Sequence, residues 1–121
     1  EVALADARKG IDMYQNEKVN VPILGLVENM SWFTPKELPE ARYYIFGNGG
    51  CKRLAEQMNV PLLAQIPLVM GMAESADEGA PITLQTDTVS AQMFLSMAQS
   101  VVTIVRRRNL EQPSTLRVET K

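Results

Sequence analysis

Any chemistry done by this 121-residue chain is done without histidine and with one cysteine, Cys51. The missing imidazole removes the commonest general base and the commonest metal ligand, so Ser-His-Asp and Cys-His nucleophilic sites are excluded. A lone cysteine makes neither an internal disulfide nor a Cys-x-x-Cys metal clip. Four groups of residues remain. They are Glu28-Asn29-Met30-Ser31, Pro67 with its neighbours Leu68 and Val69, the glycine turn Gly47-Asn48-Gly49-Gly50 ahead of Cys51, and the carboxylates Glu74, Asp77 and Glu78.

Asn29 offers an acceptor and two donors side by side, the complement of a nucleobase edge such as the amino group and ring nitrogen of adenine. Pro67 offers a flat apolar wall with no backbone donor to leave unpaired. Spacing alone leaves the plainer alternative open, with Asn29 a turn residue and Pro67 a strand terminator. The glycine turn before a helix suggests a phosphate loop, with Cys51 near the positive end of the helix dipole as a candidate low-pKa thiolate. However, a full phosphate loop ends in Gly-Lys-Ser/Thr, and the chain contains no Gly-Lys dipeptide. The glycines are therefore expected to supply the positive φ angles of a tight turn, and Cys51 to be a small buried or half-buried side chain. Glu74, Asp77 and Glu78 could share a helix face, but no further oxygen ligands lie near them in sequence, so they read as a solvated acidic face.

The elements that must position these residues follow from periodicity. Leu4, Ala7, Ile11 and Tyr14 fall three to four apart, which predicts a helix from Val2 to about Gln15. Residues 21–27 are apolar on both faces and read as a strand buried in a parallel sheet, with Pro22 tolerated at its start. A helix from about Gly50 to Met58 and a strand over Leu62 to Ile66 repeat the step. Asn-Val-Pro precedes both strands, at 20–22 and 59–61. Strands separated by a helix pair in parallel, with ligands gathering outside their carboxyl ends. Asn29 and Pro67 each follow such a strand and are expected on one edge of the sheet. Further on, a short helical piece near Met70 to Glu78 ends at Gly79. Asp87 or Thr88 caps a long helix in which Met93, Phe94, Met97, Ala98, Val101, Ile104 and Val105 form the packed stripe, closed by Arg106, Arg107 and Arg108.

The excursion over residues 30–48 is too long for an ordinary crossover and carries Trp32, Phe33, Tyr43, Tyr44 and Phe46, five of the seven aromatics. Residues 43–46 read as a short strand. The rings either pack back on the sheet as a lid or form a protein contact, and composition does not choose between the two.

Twelve basic against fourteen acidic side chains give a net charge of -2, and 45% of residues are apolar. That composition suits one folded unit and gives no field for nucleic acid. No apolar run approaches a membrane span, and no secretory signal opens the chain. One cysteine suits a reducing compartment, and cytoplasm is the expectation. The chain starts at Glu1 rather than Met, as expected of a piece of a longer protein. Residues 1–108 are expected to form the folded unit and 109–121 a flexible polar tail.

Taken in order and spacing, Val2-Ala-Leu-Ala-Asp-Ala-Arg-Lys-Gly10, Val21-Pro-Ile-Leu-Gly-Leu-Val-Glu-Asn-Met-Ser31, Ile45-Phe-Gly-Asn-Gly-Gly50, Leu54-Ala-Glu56, Ile66-Pro-Leu68 and Asp77-Glu-Gly-Ala-Pro81 resemble the C-terminal half of the Mrp/Nbp35/ApbC family. The resemblance covers about residues 2–105. It implies an α/β architecture, the C-terminal part of a parallel-sheet, three-layer P-loop NTPase fold of the MinD/ParA-like group. It also implies a cytoplasmic homodimer that uses ATP and Mg2+ and passes iron-sulfur clusters to client proteins. For Asn29 it implies an adenine contact, and for Pro67 a wall of the same base pocket. Two departures stand out. Many members carry Cys-x-x-Cys after Glu-Asn-Met-Ser, whereas residues 32–39 here contain no cysteine, so a bridging iron-sulfur cluster is not expected at that place. Where members tend to have Asp two residues after the proline, this chain has Val69, and a polar nucleotide contact is lost.

Overall fold

The N-terminal periodicity produces the helix it predicts. Helix α1 spans Val2–Gln15 and buries Ile11. The remaining order is strand β1 (Leu26–Glu28), helix α2 (Gly50–Gln57), strand β2 (Leu62–Gln65), helix α3 (Met72–Asp77), a 3-10 turn at Ile82–Leu84 and helix α4 (Val89–Glu111). This is a computed structural model, and it describes residues 2–115.

β1 and β2 pair in parallel, with Leu26 opposite Leu62 and Glu28 opposite Gln65. The chain is thus α/β around a parallel pair, the architecture expected of a P-loop NTPase portion. α2, the crossover between the strands, packs on both of them and against α1, while α4 packs on β2. The strands approach closely at Gly25. A Cβ there would lie 2.6 Å from Leu63 Cγ and 2.8 Å from the Pro61 carbonyl oxygen. A second close approach joins the helices, since a Cβ on Gly50 would lie 2.8 Å from Leu4 Cδ1. Arg8 ties the far side by donating to the Gln57 side-chain oxygen. The buried apolar residues between these elements include Ile66, Leu54, Ala55 and Trp32.

The Asn-Val-Pro echo has a structural meaning. Asn20 and Asn59 both adopt left-handed backbone, with φ of 46° and 53°. Asn is the residue other than Gly that tolerates this conformation most readily. In each copy the chain folds back over the end of a helix. Asn20 N donates to Asn16 O at 2.7 Å and Asn59 N to Glu56 O at 3.2 Å. Proline follows two residues later, where no helical amide is needed. The same local physics has been used twice to turn a helix into a strand.

Three expectations are adjusted. The strand read from residue 21 is regular only over Leu26–Glu28. Residues 21–25 have no ladder partner among the described residues beyond their junction with β2, and apolarity alone does not make a ladder. Residues 43–46 form no strand. Tyr43 makes one antiparallel bridge to Phe33, after which the chain turns, with Gly47 N donating to Tyr44 O at 3.2 Å. Finally, α4 does not stop at the three arginines but runs on to Glu111, so the expected tail is helical over its first three residues. Residues 116–121 lie outside the described residues.

Thr88 is the cap of α4, its hydroxyl accepting from Ala91 N at 3.2 Å. Met93, Phe94 and Met97 are half-buried, whereas Ala98 and Val101 are exposed. The stripe is therefore wider in the sequence than the surface that β2 offers it. No helix among the described residues is long and apolar enough to cross a membrane.

Gly25→Ala is expected to destabilise the fold by about 1–3 kcal/mol, because one of the clashing atoms is backbone and cannot rotate away. Thr88→Ala should cost about 1 kcal/mol through the lost cap. Both are read from the midpoint of denaturant unfolding, and an unchanged midpoint for Gly25→Ala would contradict the close approach.

Candidate functional site at the carboxyl ends of the strands

The pairing of β1 with β2 does not end with the strands. Ile66 N donates to Glu28 O at 2.8 Å, Ser31 N to Ile66 O at 2.9 Å and Leu68 N to Trp32 O at 2.7 Å. The two segments leaving the sheet therefore run side by side, with Asn29 in one and Pro67 in the other at the same end of the parallel pair. Asn29 is exposed and Pro67 is buried. The Asn29 side-chain oxygen accepts from Met30 N at 3.0 Å, and Met30 is held at a φ of 54°. Asn29 is thus a turn residue in the ordinary sense, yet its amide still has two unused donors.

A cluster of three side chains surrounds this turn, two of them (Glu28 and Ser31) from the group singled out in the sequence and the third, Gln65, not. One Glu28 carboxylate oxygen, Oε2, accepts from Ser31 Oγ at 2.6 Å and from Gln65 Nε2. Gln65 Nε2 also lies 3.4 Å from Ser31 Oγ. Ser31 is buried, so its hydroxyl depends on this carboxylate for an acceptor. For Gln65 the sequence signal was a polar side chain interrupting an apolar strand. Its partner was visible only once the register placed it opposite Glu28.

Beside the turn is a cleft of about 280 Å3. Its lining includes Glu28, Asn29, Met30, Phe46, Cys51 and Arg53. Pro67 does not line it. The wall expected of Pro67 is covered by the chain itself and backs the turn from within. The glycine turn closes the other side, with Gly47 and Gly49 at φ of 95° and 71° as expected of a tight turn. Cys51 sits in the first turn of α2 and is half-buried. Burial pushes its thiol up from the ordinary value, and the Glu28 carboxylate pushes it further in the same direction. The half-buried side chain expected of Cys51 is what the structure shows, and the alternative of a low-pKa thiolate runs against the direction set by desolvation and the neighbouring anion.

The aromatic excursion divides between its two readings. Trp32 is 7% exposed and carries the Arg42 guanidinium over its ring at 4.4 Å. Phe33 is half-buried and bridges to both Tyr43 and Leu68. Tyr43, Ile45 and Phe46 are exposed, Phe46 by 70%. The base of the loop packs as a lid, while its second limb presents an apolar surface.

Set against a nucleotide, the side chains fit in part. Asn29 can donate to a base edge. The chain has no Gly-Lys-Ser/Thr for the phosphates, and the described residues hold no group of three His, Cys, Asp or Glu arranged for a metal ion. Cys51 is expected to alkylate with iodoacetamide at pH 7.5 several-fold more slowly than a free cysteine, and Glu28→Gln should speed it. Mass spectrometry of timed samples reads the rate, and a Cys51 faster than free cysteine would contradict this assignment.

Residues 1–102 match the family model described as ParA, NUBPL iron-transfer P-loop NTPase. The chain is 44% identical over 101 residues to an iron-sulfur cluster carrier protein of Synechocystis, a match covering 83% of this chain and 28% of that protein. It is 43% identical over 103 residues to the Arabidopsis thaliana iron-sulfur protein required for NADH dehydrogenase, mitochondrial, covering 84% and 32%. Against the mouse iron-sulfur cluster transfer protein NUBPL it is 38% identical over 105 residues, covering 84% and 31%. The chain thus spans about a third of the length of these relatives. With parallel strands, a glycine turn and a family match that extends from the first residue into α4, the chain belongs to the ParA-type family of NUBPL iron-transfer P-loop NTPases.

Proposed function

We propose that this chain works as one part of a longer, ATP-dependent iron-sulfur carrier and supplies the base side of its nucleotide site. The observation that carries the reading is the side-by-side exit of the two segments after β1 and β2, because such crevices are where α/β sheets receive their ligands. Asn29 is the polar contact to adenine, while Pro67, buried by its own chain, supports the neighbouring segment and does not meet the base. The phosphates, the Mg2+ and the attacking water require backbone amides, a lysine, a hydroxyl and a carboxylate, which we assign to the rest of the longer protein. When bound, the nucleotide would supply the free energy of phosphoryl transfer, while the residues here orient its base.

The cargo is treated separately. A cluster is held by several thiolates, and this chain has one cysteine, half-buried and with a raised pKa. Cluster ligands therefore come from outside this chain, and the clients are proteins that receive the cluster. A homodimer in a reducing compartment, with the cytoplasm as the proposed location, accords with the exposed limb of the aromatic excursion and the lone thiol. That exposed limb also favours a second reading, a non-enzymatic interaction module derived from the same fold. A Gly-Lys-Ser/Thr loop elsewhere in the longer protein distinguishes the two, since the module reading has no use for one.

The 121-residue chain alone is expected to have no ATPase activity. One amide hydrogen bond contributes about 1 kcal/mol net, against at least about 4 kcal/mol for association, so binding of a fluorescent ATP analogue should not saturate at micromolar concentrations. The full-length protein should bind ATP and lose affinity on Asn29→Ala. Micromolar affinity of the isolated chain, or turnover that tracks it through purification, would overturn this division of labour.

A further inference from the structure

Glu28 has no part in the nucleotide contacts assigned above, yet it bonds to groups on both sides of the turn that carries Asn29. It is the last residue of β1, and its main-chain oxygen accepts from Ile66 N at 2.8 Å, which fixes the register with the second segment. Its carboxylate then reaches forward across the turn to Ser31 Oγ at 2.6 Å and sideways to Gln65 of β2. Asn29 and Met30 are the two residues enclosed between the anchored ends of that turn. Met30 has left-handed backbone, a conformation disfavoured for a side chain of this kind, which persists only when the surroundings impose it. The buried Ser31 hydroxyl and the carboxylate supply that constraint with a charge-assisted hydrogen bond. With the turn pinned, the Asn29 oxygen stays on Met30 N at 3.0 Å, which leaves the side-chain oxygen committed to the turn and the amide donors free of it.

We propose that Glu28, acting through Ser31 and Gln65, is a positioning residue that presents the Asn29 amide to the base of the bound nucleotide. This rests on the base-side reading above and extends it from a contact to the group that sets the contact's geometry. Although Glu28 lines the same cleft as Asn29, its carboxylate is taken up by Ser31 and Gln65. Its effect is therefore confined to ligands that carry a base and is transmitted entirely through Asn29.

The test measures the affinity of the full-length protein for MgATP and for magnesium tripolyphosphate, which has the phosphates but no base. It compares Asn29→Ala, Glu28→Ala, their combination, Ser31→Ala and Glu28→Gln. Glu28→Ala is expected to weaken ATP about tenfold and to leave tripolyphosphate unchanged. The double variant should be no weaker than Asn29→Ala, because both substitutions remove the same contact. Glu28→Gln keeps an oxygen that accepts from Ser31 and should recover most of the affinity. Ser31→Ala should reproduce Glu28→Ala in milder form, and serves in its place if Glu28→Ala fails to fold. Asn29→Ala without effect on ATP would remove the base-side reading and this proposal with it. If Asn29→Ala weakens ATP, the reading stands. The positioning role alone is then overturned when Glu28→Ala leaves ATP unchanged, adds fully to Asn29→Ala, or weakens tripolyphosphate as much as ATP.

Discussion

The structure depends on how closely β1 and β2 can approach at one point. At Gly25 there is no room for even a methyl group between the strand and the Pro61 carbonyl. That contact adjoins the register that opens at Leu26 and Leu62, and the register does the rest. It places Glu28 opposite Gln65, carries main-chain pairing from Leu26 out to Leu68, and brings two segments far apart in sequence to the same end of the sheet. The register shifts once, between Leu26 and Val27. Such an irregularity re-aims the side chains beyond it, and the site lies directly beyond it.

Around this seam the polar groups are few and consistently employed. The buried Ser31 is satisfied by Glu28, Ser75 Oγ donates to Met72 O at 3.1 Å, and no buried side-chain nitrogen or oxygen among the described residues lacks a partner. Ion pairing contributes little by comparison, since the pair formed by Lys9 and Asp6 spans 3.9 Å between well-exposed side chains, a kind worth little in water. Specificity of structure comes instead from close packing at Gly25 and Gly50 and from the backbone conformations that two asparagines and four glycines make available.

Much of this was legible in the sequence because it is local. The helices followed from period, the cap at Thr88 from its residue type, and the turns at Gly47, Gly49 and Gly79 from the tolerance of glycine for positive φ. The parallel placement of Asn29 and Pro67 followed from two apolar runs separated by a helix. What was not legible is what depends on partners distant in sequence. Gln65 gave no sign that it faced Glu28. Cys51 was legible as a half-buried side chain, but the Glu28 carboxylate beside it was not. Pro67 was read as an open wall, though its own chain buries it. The aromatic excursion could not be divided into packed and exposed limbs until Phe33 was seen to bridge Tyr43 and Leu68.

The bridge at Phe33 also has a mechanical consequence. Its antiparallel contact with Tyr43 is made by two main-chain hydrogen bonds of 2.8 Å each, and Arg42 over Trp32 closes the same neck from the side. The nine residues enclosed, 34–42, are thereby drawn into a loop whose two ends meet. A loop closed at its neck can move or be remodelled without carrying the displacement into what lies outside it. The segment running from Glu28 to Trp32 is on the outside. Variation in the length or sequence of this loop is therefore insulated from the turn at residues 28–31, and the loop can diversify while the strands keep their register.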